Sequence, residues 1–262
     1  MPTRTVHSTR RVDTVTGSGL ASSLETWEAS PVDYDGDGDQ DVWIGYHDQG
    51  GKLFRNNGNG TYTMVGNWGI NGHGGTRCAE VADFNRDGWD DLLVCGGTVT
   101  KLYRNNQGTG FTNAAGPIGL AVNHTDAEFG DLDRDGDQDL VTAMWGRFDY
   151  RLNNGSTFGA PVRVHTVPSN AGGRALALGD ADGDEDLDVY VLISNLNAGT
   201  NPDDVVLRNN ALAFAAVPVP RASGVGDAVA ALDVNGDRRS EFLVLNGVEV
   251  SGPTQRIELR FQ

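Results

Sequence analysis

The sequence predicts an all-β chain assembled from five copies of one unit, and three observations lead there. A nine-residue acidic loop recurs five times, starting at Asp33, Asp83, Asp131, Asp180 and Asp233, with spacings of 50, 48, 49 and 53 residues. A run of apolar, strand-favouring residues leaves every copy. Thirty-six glycines in 262 residues, with few helix-favouring runs, ask for many turns and short strands. A period near fifty in a strand-rich chain signals a propeller or a similar repeat array.

The loops are read first through their charge. Asp33-Tyr34-Asp35-Gly36-Asp37-Gly38-Asp39-Gln40-Asp41 packs five carboxylates into nine residues, which repel one another unless a cation compensates them. Acids at positions 1, 3, 5 and 9 around a glycine at position 6 suit Ca²⁺, a hard ion that takes oxygen ligands, and position 7 can add its backbone carbonyl. An EF-hand would place a bidentate Glu at position 12; the five copies have Ile44, Val94, Thr142, Val191 and Val244 there. These are β-hairpin loops. The expected metal ligands are therefore Asp33, Asp35, Asp37, Asp39 and Asp41 in the first copy, and Asp83, Asn85, Asp87, Trp89 (through its carbonyl) and Asp91 in the second. The third contributes Asp131, Asp133, Asp135, Asp137 and Asp139, the fourth Asp180, Asp182, Asp184, Asp186 and Asp188, and the fifth Asp233, Asn235, Asp237 and Glu241. The first and third copies are complete. Asn85 lowers the charge of the second, and Glu185 stands in the fourth where glycine belongs, so that bend is expected strained or shifted. Arg238 and Arg239 oppose a cation in the fifth, which is expected weak or empty.

Each unit then follows one order. A first strand enters the loop and a second leaves it, as Val42-Trp43-Ile44, Leu92-Leu93-Val94, Leu140-Val141, Val189–Leu192 and Phe242-Leu243-Val244. A third strand ends in a repeated signature, Leu53–Asn57, Leu102–Asn106, Tyr150–Asn154 and Leu207–Asn210, whose Asn and Gly residues are expected to supply the positive φ of a tight hairpin. A fourth strand starts near Tyr62, Phe111, Phe158 or Phe214. The last unit stops after its third strand, Arg256–Gln262, while Val6–Val15 at the other end can be extended. The expectation is one domain over 1–262: five four-stranded blades, at 17–66, 67–115, 116–167, 168–220 and 221–262, the last completed by residues 6–15. Such a closure removes exposed sheet edges.

The loop followed by an apolar strand resembles the FG-GAP/VCBS repeats of integrin α-chain propellers. The run Leu53–Thr61 is similar to bacterial VCBS and cartilage-acidic-protein-like repeats. The resemblance implies a calcium-bearing β-propeller, usually extracellular and more often seven-bladed than five-bladed. It implies less about a ligand, because the repeat is a scaffold.

The net charge of −16 points away from nucleic acid and anionic membranes, yet 23 of the 36 acids lie in the five loops. Up to five Ca²⁺ would bring the total to −6, so the acidity reports metal. No stretch is long and apolar enough to span a membrane, and a need for abundant calcium argues for a secreted protein. Cys78 and Cys95 flank the second loop and come side by side in its hairpin, as a disulfide or as two buried thiols.

Connections at the ends of the strands away from the loops carry Trp27, Tyr46, His47, Asp48, Trp68, His73, Arg77, His124, Asp126, Trp145, Arg147, Arg174 and Asn195. Aromatic rings beside Arg, His and Asp suit stacking on a sugar and capture of an acidic glycan. The leading expectation is a non-enzymatic module that binds a glycan or an extracellular protein. A polysaccharide lyase using His73, His124, Tyr46, Arg77 and Arg174, or a hydrolase drawing on Glu28, Asp48 and Asp126, is an alternative, though no motif with a fixed catalytic spacing occurs. A structural subunit of an extracellular assembly is a third reading.

Overall fold

A computed structural model describes residues 18–20, 24–114, 120, 122–168, 171–194, 202–219, 225–247 and 256–260. The described residues form nineteen strands and no helix. They group into five antiparallel sheets in which sequence neighbours are sheet neighbours. Sheet one holds β1 (Thr26–Val32), β2 (Asp41–Tyr46), β3 (Lys52–Asn56) and β4 (Tyr62–Gly66). Sheet two holds β5 (Thr76–Ala82), β6 (Asp91–Gly96), β7 (Thr100–Asn105) and β8 (Phe111–Asn113). Sheet three holds β9 (Asp126–Gly130), β10 (Asp139–Met144), β11 (Arg147–Arg151) and β12 (Val162–Thr166). Sheet four holds β13 (Gly172–Gly179), β14 (Asp188–Ser194), β15 (Asp204–Arg208) and β16 (Ala215–Val219). Sheet five has three strands among the described residues, β17 (Val225–Leu232), β18 (Glu241–Gly247) and β19 (Arg256–Arg260).

Every acidic loop joins the first and second strands of its sheet, as the sequence predicts. Two details differ. The fourth strand of sheet three starts at Val162, and Phe158 makes only an isolated bridge to Asn153. The hairpins after the third strands take their positive φ at Gly58, Gly60, Gln107, Gly108, Gly110, Gly155, Ala211 and Leu212, not at the paired asparagines. Residues 6–15 and Asn195 lie outside the described residues.

The chain divides into two compact units, one with sheets one and two, the other with sheets three to five. In the first, β2 and β6 are buried along nearly their whole length, since strands central to a sheet are covered on both faces. Trp43, Leu53, Leu92, Val94 and Tyr103 pack there with Val32, Ile70 and Phe111. Cys78 and Cys95 are direct partners in the β5–β6 register and form a disulfide, with Cα atoms 4.9 Å apart. In the second unit, Val141, Phe148 and Tyr150 of sheet three meet Leu176, Val189, Val191 and Leu207 of sheet four. Ala177, Tyr190 and Leu192 on the other face of sheet four meet Val229, Phe242 and Val244 of sheet five.

The first strands of sheets one, two, four and five each carry a register slip near their start. The slips fall between Thr26 and Glu28, Thr76 and Cys78, Gly173 and Ala175, and Gly226 and Ala228. The extra residues are Trp27, Arg77, Arg174 and Asp227. A β-bulge re-aims the side chain of its extra residue, as at Trp27, Arg77 and Arg174, and the backbone slip recurs at the same place in four sheets.

His73 is fully buried with its ring edge-on to Trp43 and Tyr103, centroids 6.2 Å away in each case. Neither ring nitrogen has a hydrogen-bond partner among the described residues. Burial, and secondarily the charge of Lys101, pushes its pKa down to about 4. The unfolded chain binds this proton near pH 6.5 and the folded one only near pH 4. The stability contributed by neutral His73 is therefore complete above pH 6.5 and is lost as pH falls to 4. Thermal unfolding followed against pH should show this acid-side loss, and His73→Phe, which keeps an aromatic ring and removes the titration, should flatten it.

Candidate metal centres

The five loops fold alike because the backbone N–H groups of a tight bend need acceptors and the acids supply them. The first acid caps the bend: Gly38 N donates to Asp33, Gly88 N to Asp83, Gly136 N to Asp131, Glu185 N to Asp180 and Arg238 N to Asp233, at 2.7–3.0 Å. The acid at position 5 accepts from the N–H at position 7, as in Asp39 N to Asp37 and Asp186 N to Asp184. Two residues per loop lie in the left-handed region. Position 6 does so at Gly38, Gly88, Gly136, Glu185 and Arg238, and position 4 at Gly36, Arg86, Arg134, Gly183 and Gly236. The bend with Glu185 is thus not shifted: it keeps φ near 71° and the same hydrogen bonds. A side chain held there costs roughly 1–2 kcal/mol. Glu185→Gly should raise stability by about 1 kcal/mol, seen as a melting point higher by ~2–4 °C in metal-free buffer.

The ninth acid plays a different part. Asp41, Asp91, Asp139 and Asp188 are fully buried. One oxygen of each accepts the N–H of loop position 2, at Tyr34, Phe84, Leu132 and Ala181. The other accepts, at 2.7–2.8 Å, the N–H of the first asparagine of the third-strand signature, Asn56, Asn105, Asn153 or Asn209. Burial raises the four pKa values to about 6, 7, 6 and 6, against those hydrogen bonds. Glu241 accepts from Val234 N in the fifth loop.

Among the described residues, three loops bring three carboxylates within 4.8 Å of one another: Asp33, Asp35 and Asp37; Asp131, Asp133 and Asp139; Asp180, Asp182 and Asp188. Asp35 Oδ1, Asp131 Oδ1 and Asp182 Oδ1 are buried with no hydrogen-bond partner among the described residues. Leaving a charged oxygen so costs more than the ~1–3 kcal/mol of a neutral group, and a divalent cation removes the cost. An all-oxygen donor set of this density fits a hard cation. The second and fifth loops form no such cluster among the described residues. In the second loop the Asn85 amide donates to Asp87 Oδ2 at 3.0 Å, so a side-chain N–H occupies an oxygen that a metal would take. In the fifth, Asn235 donates to both Asp237 and Glu241.

The protein also supplies cations of its own. Arg55, in the strand signature, reaches Asp35 Oδ2 at 2.9 Å and Asp37 Oδ2 at 3.1 Å. The Asp39 N–H first, then Arg55, hold Asp37 below the usual carboxylate range. Arg208 stands 3.7 Å from Asp182, whereas Leu152 occupies the matching place in sheet three. An arginine and a metal compete for the same oxygens. Arg55→Leu should tighten divalent-cation binding at the first loop several-fold in a calorimetric titration and lower the melting point in chelator.

Neighbouring loops within a unit are tied together. Asp33 N donates to Asp90 Oδ2 at 2.9 Å, and the Trp89 ring lies so close to Gly36 that a Cβ there would come within 2.7 Å. Asn105 Nδ2 donates to Tyr34 O in the preceding loop, as Asn209 Nδ2 does to Leu132 O, both at 2.9 Å. Arg134 bonds the carbonyls of Asp184 and Glu185 and pairs with Asp186 at 2.9 Å. Ser240 N donates to Asp180 O at 2.6 Å.

A family model of the FG-GAP-like repeat matches residues 33–94, 83–142 and 131–191, more than half of the chain. The chain belongs to the FG-GAP-like repeat family. Each FG-GAP match runs from one acidic loop through the next loop to the strand that leaves it. No curated protein matches the chain. Among solved structures it is similar to BBS1N in complex with ARL6DN (TM-score 0.52, 14% identity), covering 85% of this chain and 63% of that one, less than two thirds of its length. It is also similar to a lectin of Agrocybe aegerita that recognises non-reducing terminal N-acetylglucosamine (0.46, 16%, 90% and 80%). An endo-arabinase of Bacteroides thetaiotaomicron is a third (0.49, 13%, 85% and 89%). The BBS1N likeness, at its identity, speaks for the propeller fold alone.

The residues predicted to face a ligand separate by burial. Tyr46, His73, His124 and Asp126 are interior, at 2% exposure or less, and Asp126 accepts Leu176 N at 2.7 Å. Tyr46 ends β2 and Asp126 begins β9, while His73 and His124 lie in the connections that lead into β5 and β9. Trp68 packs edge-on against Tyr34, with centroids 5.0 Å apart. In the first unit Trp27, His47, Asp48 and Arg77 remain at the surface. In the second, Trp145 is exposed and bridges Gly172, while Arg147 pairs with buried Asp149 at 3.2 Å; Arg174 is half-buried.

Proposed function

We propose that this FG-GAP propeller is a calcium-stabilised, non-enzymatic binding module that works outside the cell, on a glycan or a protein. In this reading residues 1–262 make one domain of five blades, and residues 6–15 complete the fifth sheet. The observation that carries the calcium reading is the convergence of three carboxylates, with a buried unpartnered oxygen, in each of three loops. Asp33, Asp35 and Asp37, Asp131, Asp133 and Asp139, and Asp180, Asp182 and Asp188 would hold the ions, which supply the positive charge these bends lack. Asp39, Asp137 and Asp186, at position 7, and Asp135 and Asp184, at position 5, complete the oxygen supply. The second and fifth loops, held by their own asparagine amides, bind more weakly. The Cys78–Cys95 disulfide supports an oxidising, extracellular setting. Burial of His73, His124, Tyr46 and Asp126 favours binding over acid–base chemistry.

Calcium at a hundred times its dissociation constant adds ~2.7 kcal/mol per site. Three filled loops should therefore raise the melting point of the chelator-treated protein by at least ~10 °C, a shift absent with D35N/D131N/D182N. An identical melting point in calcium and in chelator would remove the reading.

A further inference from the structure

We propose that the β-bulges of sheets one and two present Trp27 and Arg77 as a binding site for a carboxylate-bearing sugar, with His47 between them. The proposal rests on the binding-module reading above and names the ligand class and the place. Trp27 and Arg77 are the extra residues of equivalent bulges, so both side chains leave the strict alternation of their strands, the Trp27 indole N–H turning to Glu25 Oε1 at 3.4 Å. The two bulged strands are neighbours: Ser30 Oγ of β1 donates to Ala79 O of β5 at 2.8 Å.

His47 joins the two bulges. Its ring lies against Trp27 with centroids 4.0 Å apart and the planes tilted by 48°, and its backbone N–H donates to Glu25 O. On the side of Arg77, Gly75 lies against the His47 carbonyl so closely that no Cβ fits. Thr76 packs just as tightly on Gly45, again without room for a Cβ. These glycines fix the distance between the aromatic pair and the Arg77 strand. His47 Nδ1 is 2.8 Å from Asp48 Oδ1, which orients the imidazole.

The chemistry of the four residues is that of an acidic saccharide. Trp27 offers a flat apolar face, suited to the C–H face of a pyranose. Asp48 and His47 are hydrogen-bonding groups for hydroxyls. Arg77 is exposed and has no ion pair or hydrogen bond among the described residues, in a chain of net charge −16. A free guanidinium fork matches a carboxylate with two parallel N–H donors. The acidic loops cannot neutralise it, since they occupy the other ends of β1 and β5.

The test compares galacturonate with galactose, which differ at the C6 carboxylate, by calorimetry and saturation-transfer NMR on the full chain in calcium. Galacturonate should bind at least ten times more tightly than galactose. Trp27→Ala and Arg77→Met should each weaken it about tenfold, with Arg77→Lys retaining part of the affinity. Melting points of the variants report folding, and the calcium-induced shift should be unchanged in all three. Equal binding of the two sugars, unaltered binding by Arg77→Met, or no saturation with either sugar at 20 mM overturns the proposal. If the variants leave some other glycan or protein ligand bound as before, this site fails while the binding-module reading stands.

Discussion

The fold hangs on one hydrogen-bonded carboxylate repeated along the chain. The ninth acid of each of the first four loops lies out of water and spends one oxygen on the bend before it and the other on the hairpin after it. Three strands are thereby fixed at one point. Burial alone would drive such a group to its neutral form, and two backbone donors offset only part of that, which is why these acids titrate at about 6 to about 7. Replacing the acid by an apolar residue of similar size would strand two buried N–H groups, so the repeat keeps its acid at this position whether or not a cation sits above it.

A division of labour within each loop follows. The buried acid holds the architecture; the rim charge is gathered by positions 1, 3 and 5 in the first loop, and by positions 1 and 3 together with the buried acid itself in the third and fourth. How that charge is met differs from loop to loop: by an arginine on the third strand in the first and, at longer range, in the fourth, and by a side-chain amide in the second and fifth. The third has Leu152 where the first has Arg55, and it collects three carboxylates with one oxygen left over. Repeats that look interchangeable in sequence are therefore unequal as cation sites.

Much of the architecture was legible in the sequence. Five loops in register, each followed by an apolar run, placed the first and second strands of every sheet, and the Asn-Asn signature placed the third in four of them. The role of that signature was not legible: its partners are Asp91 and Tyr34, 14 and 71 residues from Asn105, so no local pattern reveals them. Glycine at position 6 was read correctly as a bend, but Arg86 and Arg134 at position 4 gave no sign that they share its left-handed backbone. The bulges escaped for a related reason. A one-residue slip changes which face Trp27 and Arg77 occupy without altering the composition of the strand. The interior positions of His73 and His124 were hidden because polar residues near strand ends ordinarily read as surface. The two cysteines allowed either of two states, and only the register of β5 on β6 decides between them.

Asn105 and Asn209 each reach backward, to the loop of the sheet that precedes their own. Each such repeat thus carries the clasp for its predecessor within its own fifty residues. A gene segment encoding one repeat can then be copied or deleted as a self-fitting cassette, because the incoming copy brings the fastener and the older copy need offer only a backbone carbonyl.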